Sequence, residues 1–422
     1  MEALPALLLG LAVIVVVARV LGALARRLGQ PAVIGEIVGG ILLGPTLFGG
    51  AVTRTLFPDG VRPSLSTLAS IGVCVFMFLV GLHLDRDLLR GQGRLASTVS
   101  LSAIVLPFAL GVLLALHLFD NHPTGDKLAF VFFLGTAMSV TAFPVLARIL
   151  TDKGLIDTPI GGLALACAAV DDVLAWSLLA VVATLAGAGD DPWRVALVIP
   201  YALFMLFAVR PLLARLAAGR AGSGRLAGAA VLVAVAAGLF LSAEATEWMG
   251  LHAIFGAFLF GVVMPRDGVT ALREHALPWI ERVCSVLLLP VFFMVAGLKV
   301  DLSKVDLTAL GELGLILLVA VGGKFGGALL GARLNGVRWR HSTVLATLIN
   351  TRGLTELIVL AVGLQLAVLD QALYSLMVVM ALVTTAMAGL LLPLIYPPER
   401  VARDRAAARD AVAGPLREES AP

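Results

Sequence analysis

Leu163-Ala-Leu-Ala-Cys-Ala-Ala-Val-Asp-Asp-Val-Leu-Ala-Trp-Ser-Leu-Leu-Ala-Val-Val-Ala-Thr-Leu185 is almost pure hydrocarbon, yet it carries two adjacent carboxylates, Asp171 and Asp172, near its middle. A run of this length and polarity reads as a membrane-spanning helix, because about 20 apolar residues cross a bilayer core. A carboxylate at that depth is costly unless it is paired, hydrated or protonated, so it marks an ion or proton path. Similar runs recur along nearly the whole chain of 422 residues, which is 59% hydrophobic and 14% charged with a mean hydropathy of +1.00. A soluble core cannot use that much apolar surface, and no alternating pattern suggests a barrel. The first run, Leu4 to Ala25, lacks a basic leader and is followed by Arg26-Arg27 rather than a small-residue cleavage site. It is expected to be a retained helix.

The pattern predicts an all-α polytopic membrane protein of about 13 transmembrane helices, near 4–25, 33–49, 65–84, 97–118, 128–150, 160–186, 195–217, 226–246, 250–264, 282–299, 309–332, 342–364 and 371–395. Lys and Arg number 18 in the odd-numbered connections and tail against 5 in the even-numbered ones, with eight inside spans, Arg19, Lys324 and Arg352 among them. The positive-inside rule then places the N-terminus outside and the tail in the cytoplasm. The net charge of +3 says little by itself about partners, and Cys74, Cys167 and Cys284 lack metal-site or disulfide spacing.

The chain also repeats. Val75-Phe-Met-Phe-Leu-Val-Gly-Leu-His-Leu-Asp85 matches Val291-Phe-Phe-Met-Val-Ala-Gly-Leu-Lys-Val-Asp301 at an offset of 216 residues. Ile37-Val-Gly-Gly-Ile-Leu-Leu-Gly44 matches Ile254-Phe-Gly-Ala-Phe-Leu-Phe-Gly261 at 217. An offset of seven spans, being odd, inverts the second copy across the membrane, an architecture of secondary transporters. The expected layout is a first six-helix repeat (1–194), a linker helix (195–217), an inverted six-helix repeat (218–396) and a short cytoplasmic tail (397–422).

Each half contains a discontinuous helix, the best sequence pointer to a transport site. The fifth span is interrupted by Ser139-Val-Thr-Ala-Phe-Pro144 and the twelfth by Asn350-Thr-Arg-Gly-Leu-Thr-Glu356. At ~1.5 Å per residue, Asp171, Asp172, Thr141, Lys324 and Arg352 all lie roughly 12 to 17 Å from the cytoplasmic ends of their spans. Two carboxylates, two cations and two broken helices can therefore converge near one plane. Adjacent helix positions differ by ~100° in direction, so one aspartate is expected to pair with Lys324 and the other to line a water-filled cavity. There a cation and a proton would compete, and switching access only when the site is neutralised gives exchange. Ser139 and Thr141 are candidate ligands beside the two aspartates, whose metal would be Na+ or K+. Arg352 is read as neutralising carbonyls, with Glu356 as its i, i+4 partner. Lys324 is either a counter-ion or itself releases a proton. Pro144, Asn350, Thr351 and Gly353 mark the breaks.

These residues resemble the monovalent cation:proton antiporters, in the branch of bacterial Na+/H+ and K+/H+ antiporters and plant cation/proton exchangers. Gln30 to Pro45 is similar to that branch's second-helix motif, Ala169-Val-Asp-Asp-Val-Leu-Ala-Trp176 to its aspartate motif, and Asn350-Thr-Arg-Gly-Leu-Thr-Glu-Leu357 to its second broken-helix motif. The resemblance runs from about Leu4 to Pro397. It implies a homodimer with a dimerisation domain and a mobile, elevator-like core, two crossing broken helices, Asp172 as the main cation and proton carboxylate, and Asp171 as partner of Lys324. It implies Na+ and/or K+ and H+ as substrates, membrane lipids as surroundings and no cofactor, while high Arg and Ala with few Lys points to a GC-rich bacterial genome and so to a multi-pass bacterial plasma-membrane location. Only about 25 residues follow the last span, so no fused nucleotide-binding regulatory domain is expected, nor any nucleic-acid partner.

Outside the centre, His83 and Lys299 read as helix-end chemistry and Arg19 as a snorkelling residue. Glu36 reads as an interfacial or paired group rather than as part of a cation funnel, and Glu244 and Glu247 equally as an interfacial face or as groups that draw cations at the outer end. An intramembrane aspartyl protease needs its aspartates on different helices, which separates it from this pattern. A channel would present rings or filters of ligands across subunits. A sodium-coupled symporter of an organic anion is the alternative, and Asp171, Asp172 and Lys324 together speak against an anion site. The chain is not expected to be an enzyme.

Overall fold

The computed structural model describes residues 3–83, 93–155, 158–186, 197–218, 225–249, 253–265, 277–303, 305–397 and 399–403. Asp85, at the end of the first repeated motif, and the tail beyond 403 lie outside the described residues. The helices in chain order are α1 (Ala3–Arg27), α2 (Ala32–Leu43), α3 (Ala51–Leu56), α4 (Arg62–His83), α5 (Gly93–Leu118), α6 (Lys127–Ser139), α7 (Phe143–Asp152) and α8 (Pro159–Leu185). They continue as α9 (198–218), α10 (Arg225–Trp248), α11 (Ala253–Val263), α12 (Leu277–Leu298), α13 (Leu307–Leu334), α14 (Trp339–Ile349), α15 (Leu354–Gln365) and α16 (Gln371–Ile395). Eight of them are long and apolar enough to cross a membrane, and shorter apolar helices such as α2, α6 and α11 lie between.

The chain divides into two compact units, each discontinuous and each drawing on both expected halves. One unit is Met1–Val20, Glu36–Leu84 and Ala180–Ser303. It is held by backbone-to-backbone seams. A Cβ on Gly81 of α4 would collide with the Phe258 carbonyl and Gly261 of α11, and one on Gly40 of α2 with the Met294 carbonyl and Gly297 of α12. Lipid tails give helices no hydrophobic drive to associate, so small residues that bring backbones together supply the contact instead. Phe78 and Phe260 stack beside the first seam with centroids 5.9 Å apart. Two π-helical turns, Met205–Val209 in α9 and Cys284–Leu288 in α12, each end two residues before a proline, Pro211 or Pro290. Proline lacks an N–H and presses on the carbonyl four residues back, and the wider turn takes up that mismatch.

The other unit is Leu21–Gly35, Asp85–Leu179 and Lys304–Pro422. Its spine is α5 against α13, where Gly323, Gly327 and Gly331, four residues apart on one face, abut Pro107, Ser102 and Val99. Gly111 of α5 meets Gly135 of α6 in the same way. Asp126, Asp306 and Asp370 N-cap α6, α13 and α16, accepting bonds of 2.7–2.9 Å from first-turn backbone N–H groups.

Boundaries differ from expectation in three places. The second span stops at Leu43, because Gly44-Pro45 and the left-handed Gly49 and Gly50 (φ +56° and +75°) turn the chain into a short 3₁₀ turn and α3. The tenth begins at Leu277, five residues early. The break in the twelfth is narrower than the polar run, since α15 starts at Leu354 and Glu356 sits in its first turn.

Candidate functional site

Every residue expected at the site lies in the second unit. Helix α6 ends at Ser139, the chain runs non-helically through Val140–Ala142, and α7 begins at Phe143 with Pro144 as its second residue. The matching gap, Asn350–Gly353, separates α14 from α15. The two gaps touch: Ala142 N–H donates to the Thr351 carbonyl at 3.1 Å. Gly353 is required there, with φ +157° and no room for a Cβ, which would lie 2.7 Å from Val145 Cγ2.

Interrupting a helix leaves carbonyls without donors at its C-terminal end. Two buried cations meet those of α6. Arg352, completely buried, donates through its terminal nitrogens to the Ala137 carbonyl at 2.7 Å and the Met138 carbonyl at 2.6 Å. Lys324, also completely buried on α13, donates to the Ser139 carbonyl, to the Ala103 carbonyl of α5 at 3.1 Å and to Asp171 Oδ2 at 3.0 Å. Arg352 pairs with Glu356 one turn along at 2.9 Å. Its own carbonyl accepts from Thr385 Oγ1 of α16 at 2.6 Å.

The two aspartates, on consecutive positions of the unbroken α8, meet different surroundings. Asp171 Oδ2 accepts from Thr141 Oγ1 at 2.6 Å as well as from Lys324. Asp172, 4% exposed, is met by the Phe143 backbone N–H at the start of α7. Among the described residues no protein partner reaches Asp172 Oδ1, Asp171 Oδ1, Asn350 Oδ1 or Thr351 Oγ1. The side chain of Ser139 turns back to the Thr136 carbonyl at 2.8 Å, so it is the backbone oxygen of Ser139 that takes part.

Three carboxylates (Asp171, Asp172 and Glu356) and two cations (Lys324 and Arg352) are thus buried around the crossing. With all five ionised the sum is one negative charge. An isolated buried charge is strongly unfavourable, so the arrangement calls for one monovalent cation or one proton, and an anion would add to the imbalance.

Sequence reasoning did not identify Ala103, whose carbonyl helps hold Lys324, or Thr385. A backbone acceptor has no signature in residue type. Thr385 had one, since Thr384-Thr385 interrupts the apolar run of the last helix. Glu247, read as interfacial or cation-drawing, accepts the Ala253 N–H at 2.7 Å in front of α11.

Residues 12–396 match the family model described as "Sodium/hydrogen exchanger, transmembrane". The chain is 38% identical to the Na(+)/H(+) antiporter NhaS4 of Synechocystis over 93% of its own length and 97% of that protein. It is also 38% identical to Cation/H(+) antiporter 20 of Arabidopsis thaliana, covering 98% of the chain and 52% of the relative, and 33% identical to K(+)/H(+) antiporter 1 of Saccharomyces cerevisiae, covering 87% and 44%. The chain therefore spans about half the length of these plant and yeast relatives. In fold it resembles the sodium proton antiporter MjNhaP1 of Methanocaldococcus jannaschii, with a TM-score of 0.64 at 16% identity over 96% of this chain and 100% of that one. On the match over residues 12–396, the chain belongs to the transmembrane sodium/hydrogen exchanger family.

Proposed function

We propose that this chain exchanges a monovalent cation, Na+ or K+, for protons across a membrane, the two competing for Asp172. The observation that carries this reading is the charge count at the crossing, one carboxylate more than the buried cations neutralise. Asp171 is held by Lys324 and Thr141 and has little freedom to release them. Asp172, which neither Lys324 nor Thr141 engages and whose Oδ1 has no protein partner among the described residues, is the group left to bind the cation or take the proton. Relatives named as cation/proton antiporters support the same activity, and the net negative site argues against organic-anion symport.

The site sits wholly within one of the two units, which fits an elevator in which that unit carries the bound ion past the other. The seam glycines support inverted repeats: Gly40 meets Gly297, and Gly261 meets Gly81. Gly297 matches Gly81 in the sequence repeat at 216, and Gly261 matches Gly44 at 217, one helical turn from Gly40. On this reading there are thirteen crossings in a first repeat, linker and inverted repeat at 1–194, 195–217 and 218–396. The N-terminus is outside, the tail is cytoplasmic and the protein is a homodimer in a plasma membrane.

The test is dequenching of a pH-sensitive dye in proteoliposomes holding an imposed proton gradient, on adding Na+ or K+. The wild type collapses the gradient with one or both cations and Asp172→Asn does not. Silence of folded wild-type protein toward both cations from pH 6 to 9 overturns the proposal.

A further inference from the structure

The connection between α5 and α6 presents His122 to two carboxylates. Its Nδ1 lies 2.6 Å from Asp370 Oδ2 at the start of α16, and its Nε2 lies 3.0 Å from Glu312 Oε2 on α13. The ring is 8% exposed and Glu312 10%. Asn121 donates to the other Glu312 oxygen at 2.7 Å, and the other Asp370 oxygen caps Leu373 at 2.7 Å, so both carboxylates are fixed in place. Of the other charged groups nearby, Asp126 caps α6, Asp306 caps α13, Lys127 lies over the Phe119 ring at 5.0 Å, and Asp120 stands on the same connection as His122. The carboxylates sit on opposite ring nitrogens, so the three side chains do not converge on a single metal ion.

The chemistry of imidazole makes this a titrating arrangement. A neutral ring has one N–H and one lone pair, and only the protonated ring donates on both sides. Without its proton, one carboxylate faces a lone pair at hydrogen-bond distance. We propose that Asp370–His122–Glu312 is a second proton-binding site of this chain, a clasp that fastens the ends of α5, α13 and α16 together when protonated and loosens when its proton leaves. Those helices carry Ala103, Lys324 and Thr385 of the crossing. Hydrogen bonding to Asp370, with burial opposing and Glu312 adding to it, raises the ring's pKa to about 8. Stabilisation by the clasp is therefore complete below the ordinary histidine value near 6.5 and lost as pH rises through 8.

The clasp rests on the geometry of the three side chains, with the raised ring pKa setting its pH window, and does not depend on the transport reading. The experiment is thermal unfolding of the purified full chain from pH 6 to 9.5 for wild type, His122→Gln and Glu312→Gln. Wild type is expected to melt above His122→Gln at pH 6 and to converge with it above pH 8.5. Glu312→Gln replaces a carboxylate by an amide that can donate to a neutral ring, so its pH-dependent drop should move below that of wild type or vanish. A gap between wild type and His122→Gln that stays constant across the range overturns the proposal, as does a Glu312→Gln profile that follows wild type. If His122→Gln does not fold, the wild-type and Glu312→Gln profiles decide the question by the same criterion.

Discussion

The glycine seams, which occur in both units, and the charged crossing of the second unit hold together by different physics. In the first, Gly81 against Gly261 and Gly40 against Gly297 bring backbones into direct contact with no charge involved. In the second, the crossing is held by charge, Arg352 and Lys324 bonding the carbonyls that a broken helix exposes. Close-packed glycines make a contact that a single methyl spoils, whereas the charged crossing depends on its buried donors and acceptors keeping their partners. Rigidity is thus built from absent side chains and function from groups that would be intolerable if unpaired.

The sharpest test of that contrast is Asp172→Asn, which touches none of the bonds made by Lys324 or Arg352. Exchange should fall to the background of empty vesicles while the melting temperature stays within a few degrees of wild type. A variant that unfolds instead would make Asp172 part of the scaffold. Next in size is Arg352→Gln, which strands Glu356 and two carbonyls. Removing one partner of a buried pair costs about 3–5 kcal/mol, so little monodisperse protein should survive extraction, and Glu356→Gln should restore some of it.

Gly81→Val tests the other side. Forcing a side chain into a filled seam costs roughly 1–3 kcal/mol, read as a lowered melting temperature. Gly326→Ala is the control, because its nearest neighbour is Leu106 Cδ2 at 3.8 Å from an added Cβ. Equal behaviour of the two would remove the seams from the account. The smallest expected effect is that of Thr385→Val, which deletes one bond to the Arg352 carbonyl. A net loss of about 1 kcal/mol and a modest drop in exchange rate should follow.

The legible parts of the site were those written in residue type against a hydrocarbon background. Asp171, Asp172, Lys324 and Arg352 stand out because each is expensive in that setting, and Pro144 and Gly353 because they break helices. Ser139, a candidate ligand by its place at the break, takes part through its carbonyl, while its hydroxyl turns back to the Thr136 carbonyl. Ala103 was invisible for the same reason, since every residue carries a backbone oxygen. The Asp370–His122–Glu312 contact escaped because the three residues lie far apart in the chain, on a connection, a helix N-cap and the first turns of α13, each ordinary on its own.

The sequence by itself determined that the chain crosses a membrane many times, which helices are interrupted, and that two adjacent carboxylates are buried with two cations. These follow from hydropathy, from proline and glycine, and from the expense of buried charge, all of them local properties. The resemblance implied Asp171 as the partner of Lys324; only the tertiary structure showed that Thr141 shares the same Asp171 oxygen while Asp172 meets the Phe143 N–H instead. Two neighbours on one helix differ in nothing but direction, and direction acquires chemical meaning only when other helices stand opposite.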